Sequence, residues 1–168
     1  MVPFTTAVVF LFLFVLQTSV SKMFGWTAPD VPLLASIYFG LRYMKTAGWQ
    51  AGILSGLLQD VSSFGLTGIN ILSKGLCGMG TGLLMENHFI DRETPVTWVI
   101  LIFLSTGLNQ AILLGYTASF FDAQVSFWAG FWAALGQAFV NLLLGLPLFS
   151  TLIWLEARMR RMLGIRQA

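Results

Sequence analysis

Residues 2–21, 94–121 and 123–155 of this chain contain no charged side chain. A helix rises 1.5 Å per residue, so roughly 20 apolar residues cross the hydrocarbon core of a bilayer. Each of the three stretches is long enough to do so. A soluble domain carries about 25% charged residues, because water must solvate its surface. Here the charged fraction is 10% and the hydrophobic fraction 57%, with 9 basic and 7 acidic side chains in 168 residues. So few charges cannot cover a water-facing surface. A soluble enzyme, a nucleic-acid-binding domain and a disordered tail are excluded on that ground. The expected fold class is an all-α integral membrane protein.

The gaps between charges place six spans, at about residues 2–21, 31–44, 46–60, 66–85, 95–120 and 125–155, in a single polytopic domain with a basic tail over 156–168. The first span lacks a basic segment before its apolar run and has no clear small-x-small cleavage site, so it is expected to be retained rather than cleaved as a signal peptide. Pro29 and Pro32 bracket the start of the second span, which Arg42 and Lys45 close. Ser62-Ser63-Phe64-Gly65 reads as the turn between the third and fourth spans, and the third is short for a full crossing. The polar run Glu86 to Glu93, which includes the lone histidine His88, reads as a loop, as does the segment at Asp122. Pro147 is expected to kink the sixth span.

Six spans put both termini on one side of the membrane. Arg42, Lys45, Arg92, Arg158, Arg160, Arg161 and Arg166 all fall on that side, seven of the 9 basic residues. Positive charge accumulates on the cytoplasmic face, so both ends are expected to be cytoplasmic. Trp26, Trp49, Trp98, Trp128 and Trp154 fall near span ends, where the amphipathic indole prefers to sit.

Gly48, Gly52 and Gly56 are spaced four apart, and Gly68, Gly75 and Gly82 seven apart, so each set lies on nearly one helix face. Such faces let backbones approach closely, for packing within the chain or for docking a partner helix. Gly78-Met79-Gly80-Thr81-Gly82 looks like a phosphate loop only superficially: Leu83 stands where a third glycine is needed, and no Gly-Lys-Ser/Thr follows. Asp60 and Lys74 are the charges inside spans. They cost free energy in lipid and can reach each other across the turn, as a stabilising pair or as part of an ion or proton path. Asn109, Gln110, Gln137 and Asn141 lie near the midplane, as interhelical hydrogen bonds or as the lining of a polar cavity. The single cysteine, Cys77, allows no internal disulfide and no cysteine-based zinc site, and His88 has no second ligand beside it. No nucleophile has its partners near it in sequence. Neither an enzyme nor a cofactor or metal is expected.

The middle of the chain is more specific. Ala28-Pro29-Asp30 leads an apolar span. Then come Gly48-x3-Gly52-x3-Gly56-Leu57-Leu58-Gln59-Asp60 and Gly65-Leu66-x-Gly68-x-Asn70. This pattern resembles the rod shape-determining MreD family, in which a proline-led helix precedes a GxxxGLLxD segment, a short turn and a further apolar helix. Length, multi-span layout and basic tail fit as well. Lys74 departs from the pattern, which has an apolar or small residue there. The resemblance implies a non-enzymatic scaffold subunit of the cell-elongation machinery in the bacterial inner membrane. It would bind MreC and with it link MreB filaments to the RodA glycosyltransferase and its class B penicillin-binding partner, with self-association left open. Arg158, Arg160, Arg161 and Arg166 would touch anionic lipid or cytoplasmic partners. The family is also similar to the six-helix S-components of energy-coupling-factor transporters. The competing function is therefore vitamin binding, which needs a polar, aromatic-lined pocket under short outer loops where Trp26, Trp128 and Trp132 are the obvious aromatics.

Overall fold

The computed structural model describes residues 2–24, 28–63, 68–86, 94–120 and 126–162. They form five helices: α1 (Val2–Phe24), α2 (Val31–Ser63), α3 (Ile69–Glu86), α4 (Pro95–Phe120) and α5 (Phe127–Met162). The all-α expectation holds. The second and third expected spans are the two arms of α2, which is broken where Tyr43 and Met44 leave helical geometry. Met44 has φ 71° and ψ −177° there, a region that a side chain with a Cβ rarely enters. The chain folds back at this break. Ser55 Oγ in the second arm donates to the Pro32 carbonyl at the start of the first, at 3.0 Å.

Local chemistry sets the helix starts. Asp30 caps α2, its Oδ1 accepting from Leu33 N at 3.1 Å. Asp60 caps α3 from a distance, Oδ2 accepting from Gly68 N at 2.9 Å and from Ile71 N at 3.3 Å. Gly68, at φ 105°, makes the turn into α3. Thr94 precedes α4, and Pro95 occupies its first position, where a missing N–H costs nothing. Pro147 lies inside α5, which continues through it to Met162. The expected tail from residue 156 is therefore helical as far as it is described.

Glycine places α3. A Cβ on Gly52 would overlap the Lys74 carbonyl, and one on Gly56 would overlap the Asn70 carbonyl. Gly40 and Gly48, from the two arms of α2, both face the Gly78 carbonyl, and Gly82 lies under the backbone of Met44 and Lys45. Three helical segments thus meet at backbone distance around Gly78. The remaining core is aliphatic and aromatic, with Tyr38 fully buried against Phe10 and Phe149 at centroid distances of 5.7 and 5.3 Å. By length and composition, Pro95–Phe120 and Trp128–Met162 are able to cross a membrane, while Phe4–Thr18 is a shorter apolar helix.

Large apolar side chains cover the outside of the described helices as well as their core. On α4 the buried face holds Thr97, Ser105, Thr106 and Asn109 together with Trp98, Leu101 and Ile102, while Val96, Ile100, Phe103, Leu104 and Leu108 point outward. The buried positions recur every three to four residues, as on one helix face, and four of these seven are polar.

Candidate functional site

Two clusters of polar side chains lie inside the bundle, near opposite ends of the first arm of α2. The first is built around Lys74, which α3 carries into the interior at zero exposure. Its ammonium meets Asp30 Oδ2 at 3.2 Å and donates to Asn70 Oδ1 at 2.9 Å. Asn70 in turn donates to Asp60 Oδ1 at 2.8 Å. Lys74 therefore pairs with Asp30, and the reachable Asp60–Lys74 contact is replaced by a bridge through Asn70. The capping carboxylate of α2 thus stands opposite the buried lysine and offsets the cost of burying its charge.

The cluster extends to α4 and α5. Asn141 Oδ1 accepts from Asp30 N at 2.7 Å, and Asn141 Nδ2 donates to Thr106 Oγ1 at 3.0 Å. Gln137 Nε2 donates to the Ala28 carbonyl at 2.8 Å and to Asn141 Oδ1 at 3.3 Å. The segment leading into α2 is thereby tied to both long apolar helices. Asn109 is buried nearby on α4, and its Oδ1 has no partner among the described residues, as is also true of Gln59 Oε1 on α2. Cys77 is buried and free, its Sγ donating to the Ser105 carbonyl at 3.3 Å.

The second cluster converges on Glu156 of α5, 2% exposed. Oε1 accepts from Thr6 Oγ1 at 3.1 Å, Tyr38 OH at 3.0 Å and Tyr43 OH at 2.7 Å, and Oε2 meets Arg42 Nε at 3.1 Å. One carboxylate thus joins α1, the break in α2, and α5. Beside it Lys45 pairs with Glu86 at 2.9 Å. The sequence reading missed this centre because Glu156 stands first in an apparent basic tail.

The glycine faces are occupied from within the chain, except at Gly68. That residue is a turn residue ahead of α3, at φ 105° and with no neighbour where a Cβ would stand, rather than part of a packing face. Gly48, Gly52 and Gly56 meet α3, Gly82 meets the break in α2, and Gly75 lies against the Trp49 ring. Gly40 and Gly78 belong to the same contact and were not singled out from sequence; Gly40 lies on the other side of the α2 break from Gly48, so helical spacing does not link them. Gln110 is half-buried on α4. Arg158 lies over the Trp154 ring at 5.2 Å, and Arg161 Nε donates to the Ala157 carbonyl at 3.3 Å. Trp98 is buried against Phe149, while Trp128, Trp132 and Trp154 are exposed. Trp26, His88, Arg92, Asp122, Arg166 and the Phe64-Gly65 turn lie outside the described residues, as does the side chain of Lys22.

Chemically, these clusters bind helices to one another. Each carboxylate in them has donors, and Lys74 has two acceptors. Among the described residues no group of His, Cys, Asp and Glu is placed to hold a metal ion. A separate groove of about 560 Å³ runs between α1 and the two arms of α2, with an apolar lining that includes Phe10, Leu11, Phe14, Phe39 and Leu54. Comparison with protein-family models, curated proteins and solved structures finds no match to this chain.

Proposed function

We propose that this chain is a multi-pass protein of the bacterial inner membrane, with six spans and both termini cytoplasmic, acting as a non-enzymatic scaffold of the MreD type. The observation that carries the membrane part is the apolar outer surface of the helices together with charged and amide groups in their interior. Lys74, Asp60, Asn109, Asn141 and Glu156 are buried, while Phe4, Phe12, Leu54, Leu143 and Trp132 are exposed. Water would solvate the first group and expel the second; hydrocarbon does the reverse. The scaffold part rests on the resemblance over residues 28–70 and on the internal use of the polar groups. With Lys74, Asp60, Asn141 and Glu156 bonded inside the bundle, much of the chain's outward chemistry is apolar helix surface, which suits contact with other membrane helices. MreC is the expected primary partner, with MreB, RodA and a class B penicillin-binding protein in the wider complex.

The S-component alternative needs a polar pocket for a vitamin. The groove beside α1 is lined almost wholly by apolar side chains, which favours the scaffold reading. The decisive experiment is a pull-down of the full chain from detergent-solubilised membranes. Recovery of MreC supports the scaffold; recovery of an energy-coupling module, or a stoichiometric co-eluting vitamin, refutes it. A reporter fused after Ala168 should be cytoplasmic, and a periplasmic signal would overturn the six-span topology.

A further inference from the structure

The Lys74 cluster has one donor and one acceptor to spare, and they face each other across the contact between α3 and α4. A lysine ammonium carries three N–H donors. Lys74 is at zero exposure, and its described contacts use two of them, on Asp30 Oδ2 at 3.2 Å and on Asn70 Oδ1 at 2.9 Å. Asn109 is 1% exposed, and its Oδ1 accepts no hydrogen bond among the described residues. Buried polar atoms are rarely left in that state, because nothing replaces the solvent they have lost.

Two sets of contacts bring these groups together. Thr81 and Cys77 of α3 both meet Ser105 of α4, hydroxyl to hydroxyl at 3.5 Å and thiol to carbonyl at 3.3 Å. Lys74 lies one turn before Cys77, and Asn109 one turn after Ser105, on the buried faces of their helices. By the other route, Lys74 pairs with Asp30, the Asp30 amide donates to Asn141 at 2.7 Å, and Asn141 donates to Thr106 at 3.0 Å. Thr106 is one turn from Asn109 on the same face of α4. The face of α3 descending from Thr81 to Lys74 thus follows the face of α4 ascending from Ser105 to Asn109. The polar contacts form a ring that is closed everywhere except between Lys74 and Asn109.

Water has the chemistry to close it. Its oxygen accepts the third N–H of Lys74, and one hydrogen goes to Asn109 Oδ1. The second hydrogen can go to Thr106 Oγ1, whose one bond from Asn141 leaves a lone pair. Three hydrogen bonds are typical of an internal water. A metal cation in the same place would be repelled by the ammonium.

We infer that one water molecule is bound between Lys74 and Asn109, where it hydrates the buried ammonium and joins α3 to α4. The site does not depend on the scaffold reading.

The test is a structure of the full chain in lipid nanodiscs, at a resolution that shows ordered water. One peak should lie about 2.7–3.2 Å from both Lys74 Nζ and Asn109 Oδ1. Radiolytic hydroxyl labelling gives a second readout, because X-rays convert bound water in place to radicals that mark the nearest side chains. Cys77, one turn from Lys74, is 2% exposed, and Met85, further along the same helix, is 0% exposed. Both carry sulfur, yet Cys77 should be labelled and Met85 should not. One hydrogen bond is worth about a fivefold change in occupancy. Asn109→Leu should therefore slow Cys77 labelling by at least that factor and leave the exposed Met162 unchanged. The two wild-type readouts decide the matter if that variant does not fold. A direct Lys74–Asn109 bond overturns the site, as does a map that shows other internal waters but none here, or a peak with the coordination of a metal ion. Cys77 labelling as slow as that of Met85, or unchanged in Asn109→Leu, overturns it as well. None of these results touches the membrane reading, which fails separately if the chain is soluble without detergent.

Discussion

Removing the Asp30 carboxylate should be among the costliest single changes in this protein. Lys74 is fully buried and Asp30 is 12% exposed at its side chain, so water replaces little of what the pair loses. Breaking a buried ion pair by deleting one partner costs about 3–5 kcal/mol, chiefly because the other charge is stranded. Asp30→Ala also removes the cap on Leu33 N, worth about 1 kcal/mol. The expected total is about 4–6 kcal/mol. Lys74→Met removes the stranded charge, so Asp30→Ala in that background should cost little beyond the cap. The double-mutant cycle should therefore give a coupling of about 3 kcal/mol. Reversible unfolding of detergent-solubilised protein in sodium dodecyl sulfate, followed by circular dichroism, measures each corner. Additive effects, with coupling below about 0.5 kcal/mol, would show that Lys74 finds equivalent partners elsewhere and that the pair does not organise this end of the bundle.

Three further outcomes follow from the same contacts. Gly52→Leu would press a side chain into the Lys74 carbonyl and should separate α2 from α3 at a cost of 3 kcal/mol or more by rough analogy with overpacked cores, whereas Gly136→Ala, with open space around it, should stabilise by about 0.5–1 kcal/mol; melting in detergent distinguishes them, and a well-folded Gly52→Leu refutes the close approach. Met44→Gly should stabilise by about 1–3 kcal/mol in the same assay by relieving positive-φ strain at the α2 break, and destabilisation would refute that geometry. Glu156→Leu leaves Arg42 and three hydroxyls without their shared acceptor and should loosen α1, read as faster maleimide labelling of a cysteine at position 10 than in the Glu156 parent; equal labelling rates would remove Glu156 as the tie on that helix.

How much of this could be read in advance depended on the range of the signal. The charge gaps located the helix starts closely, because an apolar run is a local property, but ended the last span at 155 where α5 runs on to Met162. Arg42 and Lys45 even marked the break in α2, although nothing in the sequence showed that Met44 would carry it. The Gly48, Gly52 and Gly56 face was legible from spacing alone, but the identity of what fills it was not, since the same stripe serves an internal helix or a foreign one. The Asn70–Lys74 contact sits at the four-residue spacing that brings neighbours together on a helix. Asp30, the partner that neutralises Lys74, lies 44 positions away and reaches it only once α2 and α3 have packed. Glu156 was hidden for the opposite reason. Four arginines follow it in the sequence, so it read as the start of a solvated tail, whereas α5 continues and turns it inward.

The two polar clusters also explain how a bundle of this composition settles on one arrangement. Between helices immersed in lipid, apolar side chains discriminate poorly, because the surrounding acyl chains are as apolar as leucine. Register must then come from contacts that lipid cannot imitate. The glycine contact fixes how far α3 stands from both arms of α2, since any offset puts a carbonyl against a Cβ. The Lys74 cluster fixes the rotation of α3 and ties α2 to α4 and α5 at one end; Glu156 ties α1, α2 and α5 at the other. α1 has no glycine face toward its neighbours. Among the described contacts it is held by Thr6 at Glu156 and by Gln17, whose Oε1 accepts from Val31 N at 2.9 Å, with Phe10 packed between. Pinned near both ends and not drawn in by backbone contact, α1 stands off from the second arm of α2, and the apolar groove is the space that this leaves. The groove is therefore a consequence of where the glycines stop.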